Sequence, residues 1–152
     1  MTAESTDHIE KTVVLRAPLS RVWRALADSR EFGTWFRAAL DGPFVAGETT
    51  RGHITHPGYE HLKMEIEVER MEPERLLSFR WHPNAIDPER DYSAEPTTLV
   101  EFRIEEVPEG TRLTVTESGF DRIPAARRGE AFRQNAQGWA IQVENVRKHV
   151  EG

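Results

Sequence analysis

Late in this chain the hydrophobic residues change from the period of a strand to that of a helix, and that change restricts the fold more than any other feature. Through the middle of the sequence Leu62, Met64, Ile66 and Val68 alternate with Lys63, Glu65, Glu67 and Glu69. The same alternation runs through Leu77, Phe79 and Trp81 and through Val100, Phe102 and Ile104. Successive strand residues face opposite sides of a sheet, so each segment has one face for a core and one for water. Beyond them Phe132, Ala136, Trp139, Val143, Val146 and Val150 recur at spacings of four, three, four, three and four, one stripe of a long helix. Half-buried strands followed by one amphipathic helix predict a single apolar sheet face covered by that helix.

The remaining elements follow from local signals. Residues 9–16 are rich in β-branched side chains and stop at Ala17 and Pro18, which predicts a first strand. Ser20 then precedes the helical run Val22, Trp23, Ala25 and Leu26, and Asp28 or Ser29 can start a second short helix over 28–35. Further strands are expected at 44–46, 49–56, 62–71, 76–81, 98–107 and 112–118. They are punctuated by Gly47, Pro57 with Gly58, Pro73, and Pro108 with Gly110; such short connections favour antiparallel neighbours. Gly138 inside the long helix costs roughly 1 kcal/mol against alanine, so a neighbouring backbone or bulky group is expected to pack there. The connection over 82–97, with Pro83, Pro88 and Pro96, is too long for a tight turn and is expected to be a lid or rim after the inward Trp81.

At 152 residues the chain suits one domain, ordered over about residues 8–150, with a core that needs no staples. Cysteine is absent, which excludes disulfides, thiolate metal sites and thiol nucleophiles and fits a cytoplasmic protein. Met1 to Asp7 lack the basic start and apolar run of an export signal, and no apolar run is long enough to span a bilayer. With 26 acidic against 20 basic side chains the net charge is −6, which argues against a nucleic-acid partner. Neither a phosphate-cradling glycine loop nor a nucleophilic triad is evident, and no cofactor is expected.

One position breaks the alternation. In the last strand Glu117 falls on the same face as Leu113 and Val115, so a carboxylate stands where a core residue belongs. Burying an ionised carboxylate costs several kcal/mol unless it is partnered or solvated. Glu117 is therefore a candidate to receive a ligand's hydrogen bond or to act as a general base. Alternatively it accepts from a Trp, an Arg or a loop amide beside Gly119 and anchors the strand to the helix, the commoner fate of a buried polar group. His53, His56 and His61 lie close together, but positions 53 and 56 point to opposite faces of a strand and no third ligand converges, so no metal site is expected.

Strand, two short helices, six strands and a long final helix is the order of the helix-grip fold, an α+β architecture. The chain resembles the START-like, birch-pollen-allergen-like superfamily. Within it, Ala17 and Pro18 with Val22 and Trp23, Trp35 with Phe36, residues 77–81 and 114–120, and Gly138 with Trp139 resemble the bacterial members named after the activator homologue of the heat-shock-protein ATPase. The resemblance covers residues 9–150. It implies a sheet of six to seven strands wrapped round the long helix, with an apolar cavity between them for a lipid, polyketide or flavonoid-like molecule. Some members are cyclases and others only bind. The candidate wall comprises Trp35, Phe36, Phe44, His53, Met64, Ile66, Phe79, Trp81, Phe102, Glu117, Phe120, Trp139 and Val143. Three functions are carried forward: binding of a small apolar ligand, a cyclase or hydratase activity using Glu117 with help from His53, and a chaperone-related interaction without a working cavity. The eukaryotic namesake's chaperone-contacting domain is not expected before Ile9, so its activity is not implied. A monomer or weak dimer is expected.

Overall fold

The computed structural model describes residues 8–85 and 89–151. Strand β1 (His8–Leu15) leads through Ala17 and Pro18 into helix α1 (Leu19–Ala27), whose first turn closes on the Pro18 carbonyl. Proline suits this place because its fixed φ and missing N–H cost nothing ahead of a helix. Asp28 ends α1 and starts α2 (Ser29–Phe36): its carboxylate accepts from the backbone N–H groups of Arg30 and Glu31 at 2.9 and 3.4 Å. Strands β2 (Ala38–Leu40), β3 (Thr49–Ile54), β4 (Lys63–Glu72), β5 (Leu76–Trp81), β6 (Thr98–Val107) and β7 (Gly110–Ser118) follow. Gly119, at φ +100°, turns the chain out of β7, and a single 3-10 turn (Phe120–Arg122) leads to helix α3 (Ala125–Glu151).

All seven strands form one antiparallel sheet in the order β1-β7-β6-β5-β4-β3-β2. The inner face carries the predicted alternation: Met64, Ile66, Val68, Phe79, Phe102, Leu113 and Val115 are buried while their neighbours Glu65, Glu67 and Arg103 are exposed. A bulge between Val68 and Arg70 shifts the alternation by one, which is why Met71 lies opposite Leu77. Helix α3 lies against β1, α1 and α2, with Trp139, Val146 and Val150 buried and Phe132, Ala136 and Val143 packed on the core at its margin. This is the helix-grip arrangement.

Three expectations need correction. Residues 44–46 are not a strand. Phe44 is buried in a loop, its ring 5.2 Å from that of Phe32, while Thr50 bonds the Pro43 carbonyl. The strand in this region is β2, three residues long and two of them alanine, too short for any alternation to show. Gly138 has no close neighbour: a side-chain carbon built there meets nothing within 4 Å. Finally β3 stops at Ile54, and His53 lies on its outer face, exposed, opposite Lys63. The inner positions of that strand are Thr50, Gly52 and Ile54, so His53 cannot reach the interior.

Candidate functional site

Glu117 is the only acidic or basic residue fully buried among the described residues, and it lies at the end of the inner row Leu113, Val115, Glu117. Register places it between Ile9 of β1 and Val100 of β6. Four side chains donate to it. The Trp81 indole N–H reaches Oε2 at 2.7 Å and the Thr98 hydroxyl reaches the same oxygen at 2.5 Å. The Trp139 indole N–H meets Oε1 at 2.8 Å, and the Asn135 amide donates to both oxygens at 2.9 and 3.1 Å. Trp81 ends β5, Thr98 begins β6, and Asn135 and Trp139 sit one turn apart on α3. The carboxylate thus ties the last strand to the neighbouring strand ends and to the helix, as the anchoring alternative required. Hydrogen bonds to a charged group are worth about 1.5 to 3 kcal/mol each, and here they offset the cost of taking the carboxylate out of water.

Round this hub stands an aromatic wall. Trp81 and Trp139 stack with centroids 5.8 Å apart, Phe36 lies 5.9 Å from Trp81 and 6.2 Å from Trp139, and Phe102 meets Trp139 edge-on at 5.6 Å. Phe79 joins through Trp81 at 5.3 Å. Phe32 lies deeper, with Trp35, Phe36, Phe44, Phe79 and Phe102 all against it. Trp35 directs its N–H away from Glu117, to the Ala25 carbonyl at 2.9 Å. Met64 and Ile66 are buried on β4, Phe120 packs on Phe132 beyond the end of β7, and Val143 is half-buried on α3. Phe36, Trp81, Glu117 and Trp139 therefore form one constellation with Phe79 and Phe102 behind it, whereas His53 lies outside.

Sequence reasoning missed Asn135, Thr98 and Phe32. Asn135 had a signal, since it lies four residues before Trp139 and so on the same helical face. Phe32 had one too, at helical spacing from Trp35 and Phe36. Thr98 had none beyond its place at the start of a strand.

The wall is filled by its own side chains. An open groove of about 960 Å³ lies at the opposite end of the sheet, between residues 16–19 and 106–110, and another of about 310 Å³ lies between α2, β2 and Thr55. None of the predicted wall residues lines either groove. Among the described residues no group of His, Asp and Glu side chains is placed to hold a metal ion, and no helix is long and apolar enough to cross a membrane.

The connection between β5 and β6 is fixed at its stem. Arg127 of α3 donates to Glu95 at 2.8 Å and to the Pro83 carbonyl at 2.8 Å, and its guanidinium lies 4.8 Å from the centre of the Tyr92 ring. Arg90 reaches the other Glu95 oxygen at 2.5 Å, and His82 bonds the Glu95 carbonyl at 3.0 Å. Burial raises the Glu95 pKa, but the hydrogen bonds and charges of Arg127 and Arg90 outweigh it and hold the carboxyl below its ordinary range. A similar cluster sits at the far end of α3, where burial raises the Glu31 pKa and His149, Arg21 and Arg24 together pull it lower.

Residues 16–151 match the family described as Activator of Hsp90 ATPase homolog 1-like protein. Among solved structures the chain is similar to DynU16, a protein of the dynemicin biosynthetic locus, with 28% identity, a TM-score of 0.73 and 95% of this chain covered. It spans 47% of DynU16, about half of that protein's length. Protein MLL2253 from Mesorhizobium loti shares 22% identity at a TM-score of 0.74, covering 95% of this chain and 96% of that one. The Aha1 dimer from Colwellia psychrerythraea shares 16% at 0.71, again covering 95% and 96%. At these last two identities the likeness is one of fold. A comparison with curated proteins found no match. The profile match over nearly the whole chain, on a helix-grip fold shared with these structures, places the protein in the family of Activator of Hsp90 ATPase homolog 1-like proteins.

Proposed function

We propose that the protein binds a small hydrophobic, ring-bearing molecule against the aromatic wall between the sheet and α3, without catalysing a reaction. One observation carries this reading: a fully buried carboxylate sits within a wall of Phe36, Trp81, Phe102 and Trp139, and two of its donors, Trp81 and Asn135, are only half-buried. Apolar walls with one or two placed polar groups are how small-molecule sites are built. The superfamily's habit of holding apolar ligands supports it, as does the likeness to a protein of a biosynthetic locus. Entry requires the half-buried groups to move, because the wall is closed over itself.

The hydrogen bonding of Glu117 speaks against the cyclase or hydratase alternative. A general base must present a lone pair to the proton it takes, and in this structure four protein donors occupy the carboxylate, so none is presented until a donor leaves. The closed packing favours a second reading, an interaction protein whose cavity no longer works. Native mass spectrometry of freshly purified protein, followed by a thermal-shift screen of polyketides, flavonoids and lipids, separates the two. Binding predicts a co-purifying small molecule or a stabilising compound, with about 2.7 kcal/mol gained at 100 times its dissociation constant. If no apolar compound raises the melting temperature, the interaction reading replaces this one.

A further inference from the structure

We infer that Asn135 is a displaceable stand-in for the ligand, so that the Glu117 carboxylate selects neutral ring-bearing molecules carrying a hydroxyl donor and rejects carboxylates. This rests on the binding reading above and adds the chemistry of its ligand. Of the four donors, Thr98 and Trp139 are buried at 0% and 3% exposure, and the Trp81 ring is packed on Phe36, Phe79 and Trp139. Asn135 differs from them. Its side chain is short and half-buried, and one amide nitrogen is shared between both carboxylate oxygens at 2.9 and 3.1 Å. Turned outward, its amide meets water, so of the four donors Asn135 is the one most readily exchanged for another.

The helix beside it is open. Gly138 lies between Asn135 and Gln142 on one face of α3, and a side-chain carbon added there meets nothing within 4 Å. The mid-helix glycine, which no packing partner explains, leaves open space one turn from Asn135 and one residue before Trp139. Once Asn135 turns out, the vacated place has a carboxylate at its inner end and the indoles of Trp81 and Trp139 beside it. A hydroxyl entering there restores the lost hydrogen bond.

Charge decides the class of ligand. The donors that meet Glu117 are two indoles, an amide and a hydroxyl, all uncharged and all directed at the carboxylate. Among the described residues no Lys, Arg or His donates to Glu117 that could balance a second anion, and two carboxylates in contact in a low-dielectric interior repel strongly. Fatty acids and aromatic acids are therefore excluded, while a phenol-type hydroxyl is accommodated.

The test uses the full chain and three probes of one ring system, 2-naphthol, 2-methoxynaphthalene and 2-naphthoate, titrated by calorimetry. Loss of a hydrogen bond to a charged acceptor predicts that naphthol binds roughly 10- to 100-fold more tightly than its methyl ether. The naphthoate is expected to bind most weakly. Asn135→Ala removes the competitor and should tighten naphthol binding, whereas Gly138→Leu fills the open space and should abolish it with the circular dichroism spectrum unchanged. Equal binding of naphthol and its ether, tightest binding of naphthoate, or weaker naphthol binding by Asn135→Ala each overturns the selection rule while leaving the binding reading intact. If none of the three probes binds at any accessible concentration, the selection rule falls, and the binding reading is decided by the thermal-shift screen above.

Discussion

Two carboxylates tie α3 to the ends of β5 and β6, and they do it by different physics. Glu117 is held inside by uncharged donors, each aimed from a rigid element. Glu95, at the rim, is held by Arg90 and Arg127, with the Arg127 and Glu95 side chains 11% and 10% exposed. An interior acceptor met by neutral donors places one charge in the core; a paired cation there would add a second desolvation cost. The outer cluster reaches water through Arg90, whose side chain is 42% exposed, and gains from Coulomb attraction while remaining sensitive to salt and pH. The inner tie is set by geometry and the outer one by charge.

The largest effect should come from the inner tie. Glu117→Ala leaves two indoles, an amide and a hydroxyl without an acceptor, and Glu117→Gln turns an amide donor toward one of them. Either is expected to lose about 3 to 5 kcal/mol in urea denaturation. Arg127→Ala releases Glu95 and the Pro83 carbonyl and should cost less, about 1 to 3 kcal/mol. High salt should shrink the Arg127 penalty and leave that of Glu117 unchanged. An equal loss at both sites, with equal salt dependence, would collapse the contrast.

Acid should act on the outer tie. Glu95 and Glu31 have folded-state pKa values held below their unfolded ones, so the unfolded chain takes up protons first as the pH falls. Their contribution is complete above the unfolded value of about 4.3 and disappears as the pH drops through the folded values. Melting temperature should therefore fall below that pH, and Arg127→Ala, which removes one of the two arginines on Glu95, should flatten part of the decline. The smallest effect is expected at Gly138. Alanine there meets no neighbour and should stabilise the helix by at most about 1 kcal/mol, read as a small rise in melting temperature.

The elements that alternate or repeat over several turns were legible before the structure. Strands β4 to β7 and the stripe on α3 follow from period alone, because one face of each is buried and the pattern is enforced at every position. Strand β2 was not, since Ala38–Leu40 is too short to alternate and is recruited by pairing with β3. Phe44, expected in a strand and in the cavity wall, is buried in a loop, and its burial comes from Phe32, which lies elsewhere in the chain. Glu117 could be found because it violated a pattern. Its full set of partners was harder to see: a Trp was among the expected donors, but Trp81, Thr98 and Asn135 converge through the topology, from positions 36, 19 and 18 residues away. His53 shows the opposite failure, a chemically attractive residue whose facing depended on a strand register the sequence left open.

The measurement that bears most directly on the Glu117 hub is hydrogen exchange at the indole N–H groups, followed by NMR on nitrogen-15-labelled protein. The Trp81 and Trp139 indole signals should be strongly protected, and Glu117→Gln should shift both while leaving the Trp35 signal, bonded to Ala25, in place. Rapid exchange of both indoles in the wild type, or signals indifferent to the substitution, would show that Glu117 does not hold them.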